Sequence, residues 1–340
     1  MTSYKDIAQK IRRTYENSLF SLPVRNQHHF ALRSYRVYGA EKYLRPIFTD
    51  FSLRTQIYYP KMIKYAQGES PRRLGIETIA KFRSEAKKKI RRRKVYQKHP
   101  QFPFYTGLVR YLFFAKSYNL NRLPLVKSLY ESSIERIKQE KIEEILYADE
   151  LVRVNPTAIS NTAYYLDFLG VEASERKLLK TIKNFWLNKE PVEKIDRENK
   201  LYGLTHLFIS ASYYYQRFLE RGKFSWILSY FEENIEDIIE NSNLDLIGEV
   251  GLSFKLCKEE DSSSYKKAKE YIASKFDEKL GYIPREENNT LQKAQHRNTV
   301  ALLLLENYKD LNKGPDLYRY MEENSLSLFL PEKGEFVYAE

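Results

Sequence analysis

Apolar residues recur three and four positions apart along almost the whole chain, and no segment alternates with the period of two that a half-buried strand needs. The spacing predicts a helix over Tyr4–Phe20, with Ile7, Ile11, Tyr15 and Leu19 on one stripe, and a second over Gln27–Tyr43. Ile47–Tyr65 reads as a helix interrupted near Pro60, and Gly68-Glu69-Ser70-Pro71 as a turn. Arg72–Lys98 reads as one amphipathic helix. Leu74, Ile76, Ile79, Phe82, Ala86 and Ile90 form its apolar face, the other face is Lys and Arg, and His99-Pro100 and Pro103 end it.

Beyond residue 100 the predicted helices alternate in character. Apolar segments over Phe104–Tyr118, Thr157–Leu169, Lys200–Leu219, Leu246–Leu256 and Ala294–Tyr308 are each followed by a more charged one. Asn155 is expected to cap the helix that Pro156 begins, and Gly170 to end it. A helix apolar nearly all round has to be surrounded, whereas a one-faced helix belongs at the surface. With Gln27–Tyr43 included, six such pairs predict an all-α protein, an α/α toroid of about six helical hairpins; an α-solenoid of stacked hairpins is the alternative. The expected organisation is a single helical domain over 1–340, with a basic N-terminal region at 1–100 and a toroid core at 101–330.

Charge changes this picture in one place. Residues 1–100 hold 24 Lys and Arg against 7 Asp and Glu, a net +17, so the overall +12 belongs to the first third alone. That excess suggests an anionic partner, and Lys88, Arg91, Arg92, Arg93 and Lys94 would be the nucleic-acid-binding residues. The composition, 42% apolar and 30% charged, is that of a globular chain. Its 28 Tyr suit helix contacts in which the ring is buried and the hydroxyl reaches a polar partner. The single Cys257 excludes an internal disulfide and a cysteine-based metal site, and its apolar neighbours predict a buried thiol. No signal-peptide core and no apolar run of the ~20 residues a membrane span needs are present, so a cytoplasmic protein with no membrane association is expected.

Candidate chemistry lies at the polar starts of the apolar helices. His206 shares a helical face with Tyr202, Ser210 and Tyr213, and an imidazole there suits a general base. Glu249 sits in the first turns of its helix between Gly248 and Val250. His296, Arg297 and Asn298 follow Gln295 at the start of another, where helix polarity favours an anion. Arg297 would clamp that anion; Asn298, Tyr213 and Tyr282 would assist in binding substrate. His206, Glu249 and His296, with Tyr202, are the catalytic candidates if these helix starts lie at one end of the molecule. Nothing has the spacing of a metal motif, so no metal is expected; the adjacent His28 and His29 diverge by about 100° and read as surface residues. The absence of a phosphate loop, a nucleophile elbow, a dinucleotide fingerprint and a kinase motif set removes several enzyme classes and implies no cofactor.

The connection Phe276-Asp277-Glu278-Lys279-Leu280-Gly281-Tyr282-Ile283-Pro284 resembles those at the mouths of toroid enzymes that act on sugars. Leu-Thr-His, Glu-Val-Gly and His-Arg-Asn on successive apolar helices resemble an uncharacterised bacterial helical family, over about Tyr202–Leu305. That family brings no activity with it. The expected function is a cavity for a polar or anionic small molecule or glycan, with acid–base lyase or hydrolase chemistry. The alternative is a nucleic-acid or anionic-partner binding module without catalysis, using the basic helix 72–98.

Overall fold

The structure, a computed structural model, describes residues 3–82, 84, 86–140, 142–171, 175–187, 193–286 and 289–328. Among these the chain forms seventeen α-helices and no strand beyond one isolated bridge, so it is all-α. In chain order α1 is Tyr4–Asn17, α2 Val24–Tyr38, α3 Leu44–Ala66, α4 Pro71–Ala80, α5 Lys87–Lys98 and α6 Gln101–Ser117. Next come α7 Pro124–Gln139, α8 Ile142–Leu146, α9 Asp149–Val154, α10 Pro156–Leu169, α11 Glu175–Leu187 and α12 Lys194–Ala211. The last five are α13 Arg221–Asn241, α14 Leu244–Leu256, α15 Ser263–Ser274, α16 Leu291–Leu305 and α17 Leu317–Glu323. None of the described helices is long and apolar enough to cross a membrane.

Two compact units result, both discontinuous in sequence. The first comprises Met1–Asp50 and Leu204–Lys313, and the second Phe51–Gly203 with Gly314–Glu340. The basic first hundred residues are thus divided between them.

In the first unit α16 is the central element, packed against α1, α2, α14 and α15. Its aliphatic run Val300–Leu305 is buried throughout. Two glycines let α14 approach it closely: a Cβ on Gly248 would lie 2.5 Å from Val300 Cγ1, and one on Gly251 2.9 Å from Leu304 Cδ1. The far end of α16 is closed by Lys255. This ammonium is buried, donates to the carbonyls of Leu303, Leu304 and Glu306, and so satisfies acceptors that a helix C-terminus leaves orphaned. Burial alone would strip its charge, and the Lys255 pKa falls to about 7. The near end of α16 is held by Tyr15, whose hydroxyl donates to the Leu291 carbonyl at 3.0 Å while its ring stacks on Phe30.

In the second unit α6 runs against α4 and α10, and its aromatic residues Phe102, Phe104, Tyr111, Phe113 and Phe114 are buried. The amphipathic helix expected over Arg72–Lys98 is two helices, α4 ending at Ala80 and α5 beginning at Lys87. The break lets each half follow a different neighbour: α4 packs on α6 and α5 on α9. The expected interruption at Pro60 does not occur, and α3 runs continuously through it. Asn155 stands at the N-cap position of α10 with Pro156 opening the helix, as expected, but its side chain makes no capping hydrogen bond; its amide donates to the Tyr96 hydroxyl at 2.6 Å. Gly170 ends α10 in the left-handed conformation as expected. In the first unit Cys257 is buried, which pushes its thiol up to about 12.

Candidate acid–base site

Four consecutive polar residues, Gln295 to Asn298, form the second turn of α16, one turn further in than the sequence suggested, and successive side chains on a helix turn by about 100°. Each therefore meets a different neighbour. Gln295 faces α2, where its amide nitrogen donates to His29 Nδ1 at 3.0 Å and its carbonyl accepts from Asn26 at 3.3 Å. His296 faces α14, with Nδ1 2.7 Å from Asp245 Oδ1 and Nε2 3.7 Å from Glu249 Oε1. Arg297 donates to the Pro284 carbonyl at 2.8 Å. Asn298 closes on the backbone of Ile283, accepting from its N–H at 2.7 Å and donating to its carbonyl at 2.8 Å.

Asp245 and Glu249 stand four residues apart on α14, so both carboxylates project from one face toward His296. Thr205 of α12 donates to the second oxygen of Glu249 at 2.7 Å. The His29 ring lies against the His296 ring with centroids 4.9 Å apart. The Asp245 contact places a proton on His296 Nδ1 and leaves Nε2 as the nitrogen that can exchange one. Access is uneven: 44% of the His296 side chain reaches solvent, against 24% for Asp245 and 3% for Glu249.

These surroundings separate the four titrating groups. Burial works against a charged His296, but the Asp245 hydrogen bond and the Asp245 and Glu249 charges overcome it and hold the pKa above the ordinary value. His29 goes the other way, well below it, because burial and the charges of Arg33 and His296 disfavour a second cation. Burial raises Asp245, yet the hydrogen bond and charge of His296, with Arg297 and Arg285, leave it below the usual carboxylate range. Glu249 is raised, since burial outweighs His296 and the Thr205 hydrogen bond. The result is an ionised Asp245 paired with His296, next to a carboxyl that holds its proton more readily and an imidazole kept neutral.

A strained segment borders this cluster. Tyr213, Tyr214 and Tyr215 all adopt left-handed backbone, with φ of 51°, 60° and 62°. Each such L-residue costs roughly 1–2 kcal/mol. The turn is held by Ser212 Oγ accepting from the Tyr215 N–H, and by the fully buried Arg36 donating to the Tyr214 carbonyl at 3.0 Å. It sets the Tyr214 ring beneath the Arg33 guanidinium at 5.3 Å and buries Tyr215 within the fields of Arg33 and Glu249.

Of the sequence candidates, His296 and Glu249 come together, and Arg297 stands beside them. His206 is half-buried on α12, and it is its neighbour Thr205 that meets Glu249. Tyr202 belongs to the second unit, where Lys88 lies over its ring at 4.9 Å. Tyr213 lies under Arg217, and Tyr282 is buried with its hydroxyl on Asn289. Asn298, expected to bind substrate, is wholly buried and spends its amide on Ile283. The surface reading of His28 and His29 is overturned: His28 is buried 3.6 Å from Asp50, and His29 faces His296. Asp245, His29 and Thr205 escaped the sequence reading. Only Asp245 carried a signal, its four-residue spacing from Glu249. Among the described residues no three His, Cys, Asp or Glu side chains form a group that could hold a metal ion.

In the second unit several of the basic candidates have internal partners. Arg91 pairs with Asp196 at 2.8 Å, Arg92 donates to the Val154 carbonyl at 2.9 Å, and Arg93 reaches the Phe82 carbonyl at 3.5 Å; Lys94 is exposed.

Fold and site together define an all-helical protein with a histidine–carboxylate cluster partly open to solvent. The chain belongs to the family described as a domain of unknown function, DUF3541, whose model matches residues 4–332. No curated protein and no solved structure matches it.

Proposed function

We propose that the His296 cluster is an acid–base centre acting on a polar or anionic, carbohydrate-like molecule by lyase or hydrolase chemistry. One observation carries the reading: Asp245 orients His296 from one side while Glu249 faces its exchangeable nitrogen from the other. In this reading His296 Nε2 gives a proton to a leaving oxygen, or takes one from carbon, and Asp245 stabilises the imidazolium. Glu249 is the second proton carrier, and Thr205 fixes its carboxyl plane. His29, kept neutral, prevents a second cation from lowering the basicity of its neighbour. The site needs only the first unit, so the reading holds whether the hairpins close into a toroid or stack as a solenoid. Nucleic-acid binding through Lys88 and Arg91–Lys94 draws less support, since Arg91 and Arg92 already serve internal partners.

The test is turnover of a panel of neutral and acidic oligosaccharides by the full chain and by His296→Ala and His206→Ala. The expected result is a loss of roughly 10²–10⁴-fold for His296→Ala, the usual range for a general acid–base group, and a smaller loss for His206→Ala. Unchanged turnover in His296→Ala overturns the reading.

A further inference from the structure

In the first unit, Arg297 also faces away from the cluster, into a surface cavity of about 490 Å3. Its wall also includes Asn243 at the start of α14, Tyr271 and Lys275 at the end of α15, and Arg285 and Glu286 of the loop before α16. Three cations, Lys275, Arg285 and Arg297, thus share one concavity with a single carboxylate among the described lining residues. None of the three makes an ion pair with a described residue; Arg297 is steadied by the Pro284 carbonyl, and the Lys275 ammonium rests 4.5 Å from the centre of the Tyr271 ring. Like charges gathered in a hollow repel one another, and the nearby Asp245 and Glu286 carboxylates, two against three, offset this only in part. Two guanidiniums and an ammonium supply the forked and point donors that suit oxyanions. The cavity adjoins the acid–base cluster through consecutive residues of α16, Arg297 lining the one and His296 belonging to the other.

We propose that this cavity holds the oxyanion of a sugar-borne carboxylate or phosphate, so that the molecule acted on is an acidic sugar whose charged group sits on Arg297, Arg285 and Lys275. The location of the reacting part rests on the acid–base reading of His296; the anion site stands on its own residues. Binding without turnover separates the two. Ligand-observed NMR titrations of the full chain with glucuronate, glucose 6-phosphate, glucose and inorganic phosphate are the measurement. The expected result is saturable binding of glucuronate or glucose 6-phosphate, at least tenfold tighter than glucose. Preference between the two acids identifies the oxyanion. Arg285→Ala and Lys275→Ala, both exposed positions that the fold tolerates, are expected to weaken that binding at least tenfold, and His296→Ala to leave it within about twofold. Equal binding of glucose, or unchanged affinity in both cation variants, overturns the proposal while leaving the His296 reading intact. Phosphate binding as tightly as glucose 6-phosphate refutes recognition of a sugar.

Discussion

Each unit buries a carboxylate on an apolar helix, and the two are treated in opposite ways. In the second unit Asp196, in the first turn of α12, is 1% exposed and gripped by Arg91 at 2.8 Å and Arg153 at 2.6 Å. Guanidinium stays charged at every accessible pH, so that carboxylate has permanent counter-charges. In the first unit Glu249, 2% exposed, faces an imidazole at 3.7 Å and a hydroxyl at 2.7 Å. Both of its neighbours change or share protons, and its own pKa rises where a guanidinium would have held it down. Burial of an acid alone therefore marks neither structure nor function; the titration behaviour of its partner does. Asp196 reads as a clamp joining α5, α9 and α12, and Glu249 as part of a proton-exchanging group.

The comparison predicts opposite phenotypes. The largest effect is expected in turnover: His296→Ala loses roughly 10²–10⁴-fold while unfolding near the wild-type denaturant midpoint. A variant that loses stability in proportion to activity would make the first cluster as structural as the second. Next comes Asp196→Ala, expected to destabilise by roughly 2 kcal/mol, short of the roughly 3–5 kcal/mol for a fully buried pair because Arg153 is half exposed. Urea unfolding measures it, and activity per folded molecule should be unchanged. If Asp196→Ala abolishes activity at full occupancy of the native state, the division of roles fails.

A smaller effect tests how the first cluster is positioned. Gly248→Ala places a methyl 2.5 Å from Val300 Cγ1, so α14 and α16 must separate or Val300 must move. The expected cost is about 1–2 kcal/mol, with a fall in turnover larger than that loss explains, because Glu249 is carried away from His296. Val300→Ala in the same chain should restore some of both, and failure to do so would show that the glycine serves something other than this approach.

The smallest effect concerns protonation. His29 titrates well below the ordinary value near 6.5 when folded, so between those two pH values the unfolded chain binds more protons. Stability is therefore lost as pH falls below about 6.5, with a slope of at most about 1.4 kcal/mol per pH unit for the one proton. His296 is raised, so its contribution is fully present below about 6.5 and is lost as pH climbs through the folded value. Arg33, His296, His28 and Arg25 are the charges that act on His29. His29→Gln should flatten the acid limb, and imidazole NMR at pH 6 should show His296 protonated and His29 neutral; the reverse order would undo the assignment.

Much of this was legible along the chain. The periodicity of Val300–Leu305 marked a buried helix, and the polar residues before it marked a helix mouth worth attention. His296 and Glu249 stood out there as ionisable groups on helices too apolar to carry them idly. Where the reading missed, a long-range contact had replaced a local preference. Asn155 holds the N-cap position expected of it, yet its side chain makes no capping bond and its amide goes to Tyr96, fifty-nine residues earlier. The tyrosine run at 213–215 looks like a continuation of the apolar helix, and the buried Arg36 diverts it into a left-handed turn.

What the sequence determined by itself was class and candidates: helical period, the helix end at Gly170, and the chemical types in the first two turns of α14 and α16. Local sterics and side-chain patterning suffice for that, because they act within a few residues of each position. Only the tertiary structure decided which candidates meet. His29 reaches the cluster from the far end of the chain, a separation over which no spacing rule operates. Whether Asn298 faces a ligand or latches a loop depends on what packs against one face of α16. The same is true of a carboxylate's role, since the partner that makes Asp196 inert or Glu249 responsive arrives from another helix.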